Sequence, residues 1–353
     1  MNDPNRKAAA RGVGQPRSAR RLGVARESLR LKAPFRITGR TFTTVDVIVV
    51  TLEENGGTGR GEAAGVYYLV SDPDEMIAQV DFVRSEIESG ATREDLQHLL
   101  PCGGARNALD CAMWDLDSAL SGKPAWALAG LTALKPLVTT FTLGAGSEEE
   151  TASGARACKH ARALKLKLTG GAEDAGRVRA ARHARPDVWL GVDANQGYTR
   201  EGLEAMLPVL EEADVSLIEQ PLPRGREAEL AGLQSPIPLA ADESVQGIGD
   251  IAPLAGLFDV INIKLDKCGG LTEGLAMAQE ARRHGMMVMV GNMVGTSLAM
   301  APACVLGQLC EFVDLDGPFH LAADRDPPAR YENGMVSCPP EVWGAGGGIG
   351  PEE

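Results

Sequence analysis

Short apolar runs alternating with amphipathic stretches organise most of this chain, and the rhythm changes once. From Leu22 to about Gly65 the pattern is strand-like. The β-branched residues Val45, Val47, Ile48, Val49 and Val50 lead into the turn Asn55-Gly56-Gly57, and a further segment follows to Glu62. This predicts a small antiparallel meander. One helix is expected to begin at Ser71-Asp72-Pro73. Another is expected over Ala105 to Leu120, where Ala108, Leu109, Ala112, Met113 and Leu116 recur at helical spacing before Gly122. Strands followed by helices make an α+β unit.

After Gly130 short apolar runs ending in a polar residue alternate with helical stretches. Val138 to Leu143, Leu164 to Leu168, Val188 to Asp193, Val215 to Glu219, Pro238 to Asp242, Val260 to Lys264, Met286 to Val290 and Phe312 to Asp314 make eight candidate strands. Eight strands joined by helices predict an α/β fold, a (β/α)8 TIM-type barrel with an N-terminal α+β capping domain. A doubly wound open sheet shares the alternation, but no phosphate-binding glycine fingerprint follows the first strand. The expected division is a disordered leader over 1–21, the cap over 22–130, the barrel over 131–323 and a C-terminal segment, 324–353, that returns to the cap.

Length and composition fit this picture. The 353 residues accommodate a barrel of roughly 250 residues with a smaller attached domain. A net charge of −13 argues against sequence-independent binding of nucleic acid, which needs clustered cations. No run of about 18 apolar residues could span a bilayer. The one basic stretch, Arg6 to Arg21, lacks the apolar centre of a secretory signal; it reads as a disordered leader, with an Arg-rich targeting peptide as the alternative. Seven scattered cysteines without close pairs suit a reduced, cytoplasmic protein.

Lys167, Asp193, Glu219, Asp242 and Lys264 follow one another at intervals of 26, 26, 23 and 22 residues, each at the end of a candidate strand. In a barrel those ends form the active-site face. Three carboxylates on adjacent strands would repel one another unless a cation neutralised them. Their hard oxygens, with no His or Cys beside them, favour one Mg²⁺ per subunit, with Mn²⁺ as a substitute. Strands two and six are diametrically opposed in a ring of eight, so Lys167 and Lys264 should face each other. Alternation puts Lys165 on the same inward face as Lys167. A buried lysine whose pKa is lowered can accept a proton.

The segments Lys165-Leu166-Lys167, Asp193-Ala194-Asn195-Gln196, Ile218-Glu219-Gln220-Pro221, Ala241-Asp242-Glu243-Ser244 and Ile263-Lys264-Leu265-Asp266-Lys267-Cys268-Gly269-Gly270 together resemble the muconate-lactonising subgroup of the enolase superfamily. The resemblance runs from about Leu22 to the C-terminus. It implies that Asp193, Glu219 and Asp242 bind the metal, that Lys167 and Lys264 are an acid/base pair with Lys165 beside them, and that the cap closes over the barrel. The mandelate racemase branch carries a His base at the end of the seventh strand. Here Gly291-Asn292 stands there, which excludes that branch.

Within the subgroup one constellation serves several substrates. Asp314-Leu315-Asp316 looks like the motif by which dipeptide epimerases hold the substrate's α-ammonium group; alternation presents both carboxylates on one face, and the bland alternative is a solvated turn before Gly317-Pro318. The segment from Pro34 to Thr41 resembles the specificity loop of L-Ala-D/L-Glu epimerases. Arg40 or Arg36 could pair with a glutamate side chain, or either could be a solvated turn arginine. The resemblance therefore implies a Mg²⁺-dependent epimerase acting on a small dipeptide, with a homo-oligomer left open. The alternatives are an N-acylamino-acid racemase or muconate-type cycloisomerase of the same superfamily and, from another class, a non-catalytic metabolite-binding barrel.

Overall fold

The computed structural model of the chain describes residues 19–37, 40–66 and 71–346; for residues 35–37, 40 and 41 it describes the backbone. Residues 1–18 of the expected leader lie outside the described residues, whereas its end is ordered: Arg20 donates to Glu54 at 2.9 Å and Arg21 begins the first strand. Three antiparallel strands open the chain: β1 (Arg21–Ile37), β2 (Arg40–Glu54) and β3 (Gly57–Ala63). Glu54 pairs with Gly57 across the turn residues Asn55 and Gly56, both at positive φ, 50° and 82°. That geometry matches the right-handed strand twist and favours Asn-Gly.

The helix Pro73–Phe82 starts with Asp72 as its cap, whose side chain accepts the Glu75 amide at 2.8 Å. The helix Gly104–Ser121 ends where Gly122 turns left-handed. It lies so close on β3 that a Cβ on Gly61 would sit 2.1 Å from the Ala108 carbonyl oxygen, and one on Gly59 2.1 Å from that of Ala112. Leu52, Val50, Met76, Leu96, Leu109 and Leu116 form the dry centre of this unit.

Eight parallel strands follow: Thr140–Leu143, Ala163–Lys167, Trp189–Asp193, Leu217–Glu219, Leu239–Ala241, Val260–Lys264, Met287–Gly291 and Phe312–Val313. Their order in the sheet is their order in the chain. The expected first strand divides. Leu137–Val138 pairs antiparallel with Met335–Ser337 outside the barrel, while Thr140–Leu143 joins the barrel sheet. Between them Thr139 is buried and its hydroxyl accepts the Leu315 amide at 2.8 Å. Strands one and eight are thus tied by side chains: Asp316 Oδ2 accepts the Thr142 amide at 2.7 Å, and the Thr140 hydroxyl donates to Asp314.

Alternation divides the barrel strands as expected. Leu164, Leu166 and Leu168 join the large core between sheet and helices, which leaves Lys165 and Lys167 on the inner face. Low in the interior, Leu217, Ala240, Val260 and Met289 pack with Trp189, Met287 and Phe312, and the Trp189 and Phe312 rings are 5.8 Å apart. This apolar plug leaves the ionisable residues above it. Returning to the cap, the C-terminal segment places Trp343, whose Nε1 donates to the Arg60 carbonyl at 3.0 Å, and Arg325, which bonds Glu62 at 2.7 Å. No helix among the described residues is long and apolar enough to cross a membrane.

Candidate active site

Each ionisable residue read from the sequence at a strand end reaches the upper interior of the barrel. Lys165, Lys167, Asp193, Glu219, Asp242 and Lys264 are all buried, a costly placement for charges that only mutual pairing sustains. Lys167 Nζ donates to Asp193 Oδ2 at 2.5 Å, and Lys264 Nζ to Asp242 Oδ2 at 2.6 Å. Lys165 bonds Asp314 and lies 3.4 Å from Glu219 Oε2.

One carboxylate oxygen from each of Asp193, Glu219 and Asp242 lies within 4.8 Å of the others. Burial, then the neighbouring Asp193 and Asp242, push Glu219 up to about 7 against the pull of Lys165. Asp193 stays below the usual carboxylate range because Lys167 and Lys165 outweigh its burial, and Lys264 and Lys267 hold Asp242 down in the same way. Burial opposes the charge on Lys165, but Asp314, Glu219 and Asp193 hold its pKa above the ordinary lysine value. Lys165 is thus held as a cation by its close carboxylate partners.

Three buried oxygens around the acids have no hydrogen-bond partner among the described residues: Glu243 Oε2, Asn195 Oδ1 and Asn262 Oδ1. Glu243 is pushed up to about 8 by burial, with Asp242 and Asp193 adding to it. Converging hard oxygens, carboxyls pushed up by burial and by their neighbours' charge, and unpartnered acceptors close by are what a divalent oxygen-seeking cation would satisfy. The donor set fits Mg²⁺, which prefers oxygen and tolerates few protein ligands.

Asp314 and Asp316 also come to this cavity, at the seam between strands eight and one. Both are buried. Asp316 is held well below the usual range: burial works against its charge, but His320, Lys165 and the Thr142 amide outweigh it. The cavity has a volume of about 450 Å³, and cap residues Leu31, Phe42, Thr44 and Val45 form its roof. Arg36 and Arg40 lie in the β1–β2 hairpin, where Arg36 pairs with Thr41 and Ile37 with Arg40; their side chains lie outside the described residues.

Sequence reasoning missed several supports. Lys267 appeared only as part of a motif, yet its Nζ donates to Asp242 Oδ1 and to the Asp242 carbonyl at 2.6 Å each, and to the Asn262 carbonyl at 3.0 Å. Asn262 Nδ2 donates to Glu219 Oε1 at 2.8 Å. Its position two residues before Lys264 placed it on the inner face, a signal that alternation could have supplied. Asn292 donates to the Asp314 carbonyl at 2.5 Å, and His320 Nε2 lies 3.3 Å from Asp316 Oδ2.

Residues 19–130 match the family model of the mandelate racemase / muconate lactonizing enzyme N-terminal domain, and residues 148–353 match the enolase C-terminal domain-like model. The chain is 39% identical to the L-Ala-D/L-Glu epimerase of Escherichia coli K12 over 319 residues, 90% of this chain and 99% of that one. Its fold superposes with a TM-score of 0.89 on an enolase family member from Agrobacterium tumefaciens with homology to dipeptide epimerases, solved with bound sodium and L-Ala-L-Glu. That pair is 40% identical, and the match covers 92% of this chain and 100% of the other. The dipeptide epimerase of Methylococcus capsulatus, complexed with Mg and L-Arg-D-Lys, gives a TM-score of 0.85 at 31% identity, with coverage of 93% and 99%.

Proposed function

Because the chain belongs to the mandelate racemase / muconate lactonizing enzyme family, with its enolase-like C-terminal domain, we propose that it is a Mg²⁺-dependent dipeptide epimerase that inverts the α-carbon of the C-terminal residue. The observation that carries this reading is that two lysines from opposite barrel strands flank three converging carboxylates in the upper barrel, each lysine paired with the aspartate on its own side. We infer the residue roles from that arrangement. Asp193, Glu219 and Asp242 would hold the ion, which supplies Lewis-acid stabilisation of the negative charge that develops on the substrate carboxylate.

The other steps fall to the chain's own groups. One of Lys167 and Lys264, in its neutral form, takes the α-proton; the other, as an ammonium, returns a proton to the opposite face. Solvent then restores both lysines. Lys165, held cationic by Asp314 and Glu219, adds positive potential where the carboxylate charge grows. Asp314 and Asp316 would hold the α-ammonium at the far end of the cavity, a site that would repel an anionic acyl group. Arg36 and Arg40 stand as candidates for a substrate side-chain carboxylate, with L-Ala-D/L-Glu or a related L-Xaa-L-Xaa dipeptide as the substrate.

For the chain as a whole, the assignment is a cap over 22–130, a barrel over 131–323 and a returning tail. Its seven cysteines are free thiols, which suits the cytoplasm. The test is α-proton exchange followed by NMR in D₂O with Mg²⁺, using L-Ala-L-Glu and a panel of hydrophobic and cationic L,L-dipeptides. Deuterium should enter the C-terminal residue as the L,D product appears. No exchange with any dipeptide, in protein that binds Mg²⁺, would overturn the reading.

A further inference from the structure

Beyond Asp316 the cavity ends at a wall. Gly317–His320 forms one tight 3-10 turn, which returns the His320 ring to Asp316, 3.3 Å from Oδ2. The same oxygen accepts the Thr142 amide at 2.7 Å. On the far side of these residues lies a second space of about 590 Å³, lined among others by Pro34, Leu143 and Phe319. Among the described residues Thr142 and His320 are the two that line both spaces, and they form the partition between them.

The partition is held in place from both domains. Lys32 of the cap donates to the Phe319 carbonyl at 2.8 Å and lies 5.1 Å from the centre of its ring. Ala322 N donates to the Arg30 carbonyl at 2.8 Å, Leu31 bridges to Leu321, and Phe319 packs edge-on to Phe141 at 5.3 Å. A turn fixed at both ends cannot swing aside without breaking contact between cap and barrel. Thr142 belongs to a barrel strand, which leaves the imidazole as the removable part of the wall.

We propose that His320 is the residue that sets substrate length, closing the cavity just past the α-ammonium site so that dipeptides fit and peptides extended at the N-terminus do not. This rests on the dipeptide reading above. Truncating the ring would join the two spaces and let an added N-terminal residue lie against Phe319 and Pro34.

The experiment compares α-proton exchange of L-Ala-L-Glu and L-Ala-L-Ala-L-Glu by the Mg²⁺-loaded protein and its H320A and H320G variants. In the unaltered protein the tripeptide should neither exchange nor compete with the dipeptide. In the variants the tripeptide-to-dipeptide ratio of kcat/KM should rise about tenfold or more, within the range that one steric contact supplies, and the gain should appear mainly in KM. If His320 merely positioned Asp316, both substrates would be weakened alike and the ratio would stay flat; that result overturns the proposal. So does a tripeptide that inhibits the unaltered protein with a constant within about threefold of the dipeptide KM, a measurement that needs no variant. Inactivity toward every peptide would overturn the dipeptide reading and this inference with it, whereas dipeptide turnover with a flat ratio overturns this inference alone.

Discussion

Of the three acids proposed to hold the ion, Glu219 is the one whose environment resists ionisation, so Glu219→Gln is expected to stabilise the metal-free protein. The folded carboxyl titrates at about 7 against an ordinary value of 4.5, because burial and the flanking Asp193 and Asp242 outweigh Lys165. A carboxyl raised in this way binds its proton more tightly folded than unfolded. Its contribution is neutral below pH 4.5, becomes steadily unfavourable as pH rises toward 7, and is constant above that. The penalty at pH 8 is about 3 kcal/mol at roughly 1.4 kcal/mol per pH unit. The glutamine carbonyl can still accept from Asn262 Nδ2, which now lies 2.8 Å from Oε1, and its amide can donate toward Asp193 and Asp242. Lys165 keeps Asp314. Thermal melts in EDTA should therefore show the variant about 5 °C or more above wild type at pH 8, with the two converging at pH 5. Mg²⁺ should raise the melting temperature of wild type and leave the variant nearly unmoved. A variant less stable than wild type at pH 8 in EDTA, or a gap independent of pH, would refute the reasoning.

Lys167→Ala and Lys264→Ala should each lower epimerisation by about 10²–10⁴-fold, the usual scale of a general acid or base. Each should still wash the α-proton of one dipeptide isomer into D₂O, and the two variants should retain opposite isomers; identical isotope patterns would remove the two-base arrangement. Away from the site, Gly61→Ala should destabilise by about 3 kcal/mol or more, since its Cβ would meet the Ala108 carbonyl oxygen at 2.1 Å and neither the strand nor the helix can retreat. Denaturant titration reads this directly, and an unchanged midpoint would show that the cap packs more loosely than the structure implies.

The barrel was legible because its signals are local. A strand buried on one face by helices repeats eight times, five in succession carry an inward charge at their ends, and two-residue alternation says which side chains turn inward. Lys165, Lys167 and Lys264 follow from that rule alone, as would Asn262. Partners were not legible. That Lys165 meets Asp314 across 149 residues, or that Lys267 grips the Asp242 carbonyl, depends on how far the barrel closes and where each loop turns back. The division of the first strand is of the same kind: nothing local to Thr139 says that its hydroxyl will take the Leu315 amide. His320 lay hidden for a related reason, since one turn after a strand end can point anywhere until the cap strand fixes it.

The placement of the ion pairs explains why three acids on successive strands accompany two lysines on opposite ones. Glu219 stands on the fourth strand. Outward from it in both directions come an aspartate and then a lysine: Asp193 and Lys167 on strands three and two, Asp242 just past strand five and Lys264 on strand six. Each lysine pairs with the aspartate on its own side, at 2.5 and 2.6 Å, so the two amines flank the carboxylate cluster. A substrate carboxylate docked in front of the fourth strand would then place its α-carbon between them, with one amine toward each face. The same pairing couples the bases to the acids. Each amine is now tied to its aspartate by a direct ion pair, and a cation that took up the aspartate's charge would loosen that tie. On the residue roles proposed above, filling the carboxylate cluster would free the flanking lysines to turn toward the substrate, which would tie binding at one wall of the barrel to chemistry across its mouth.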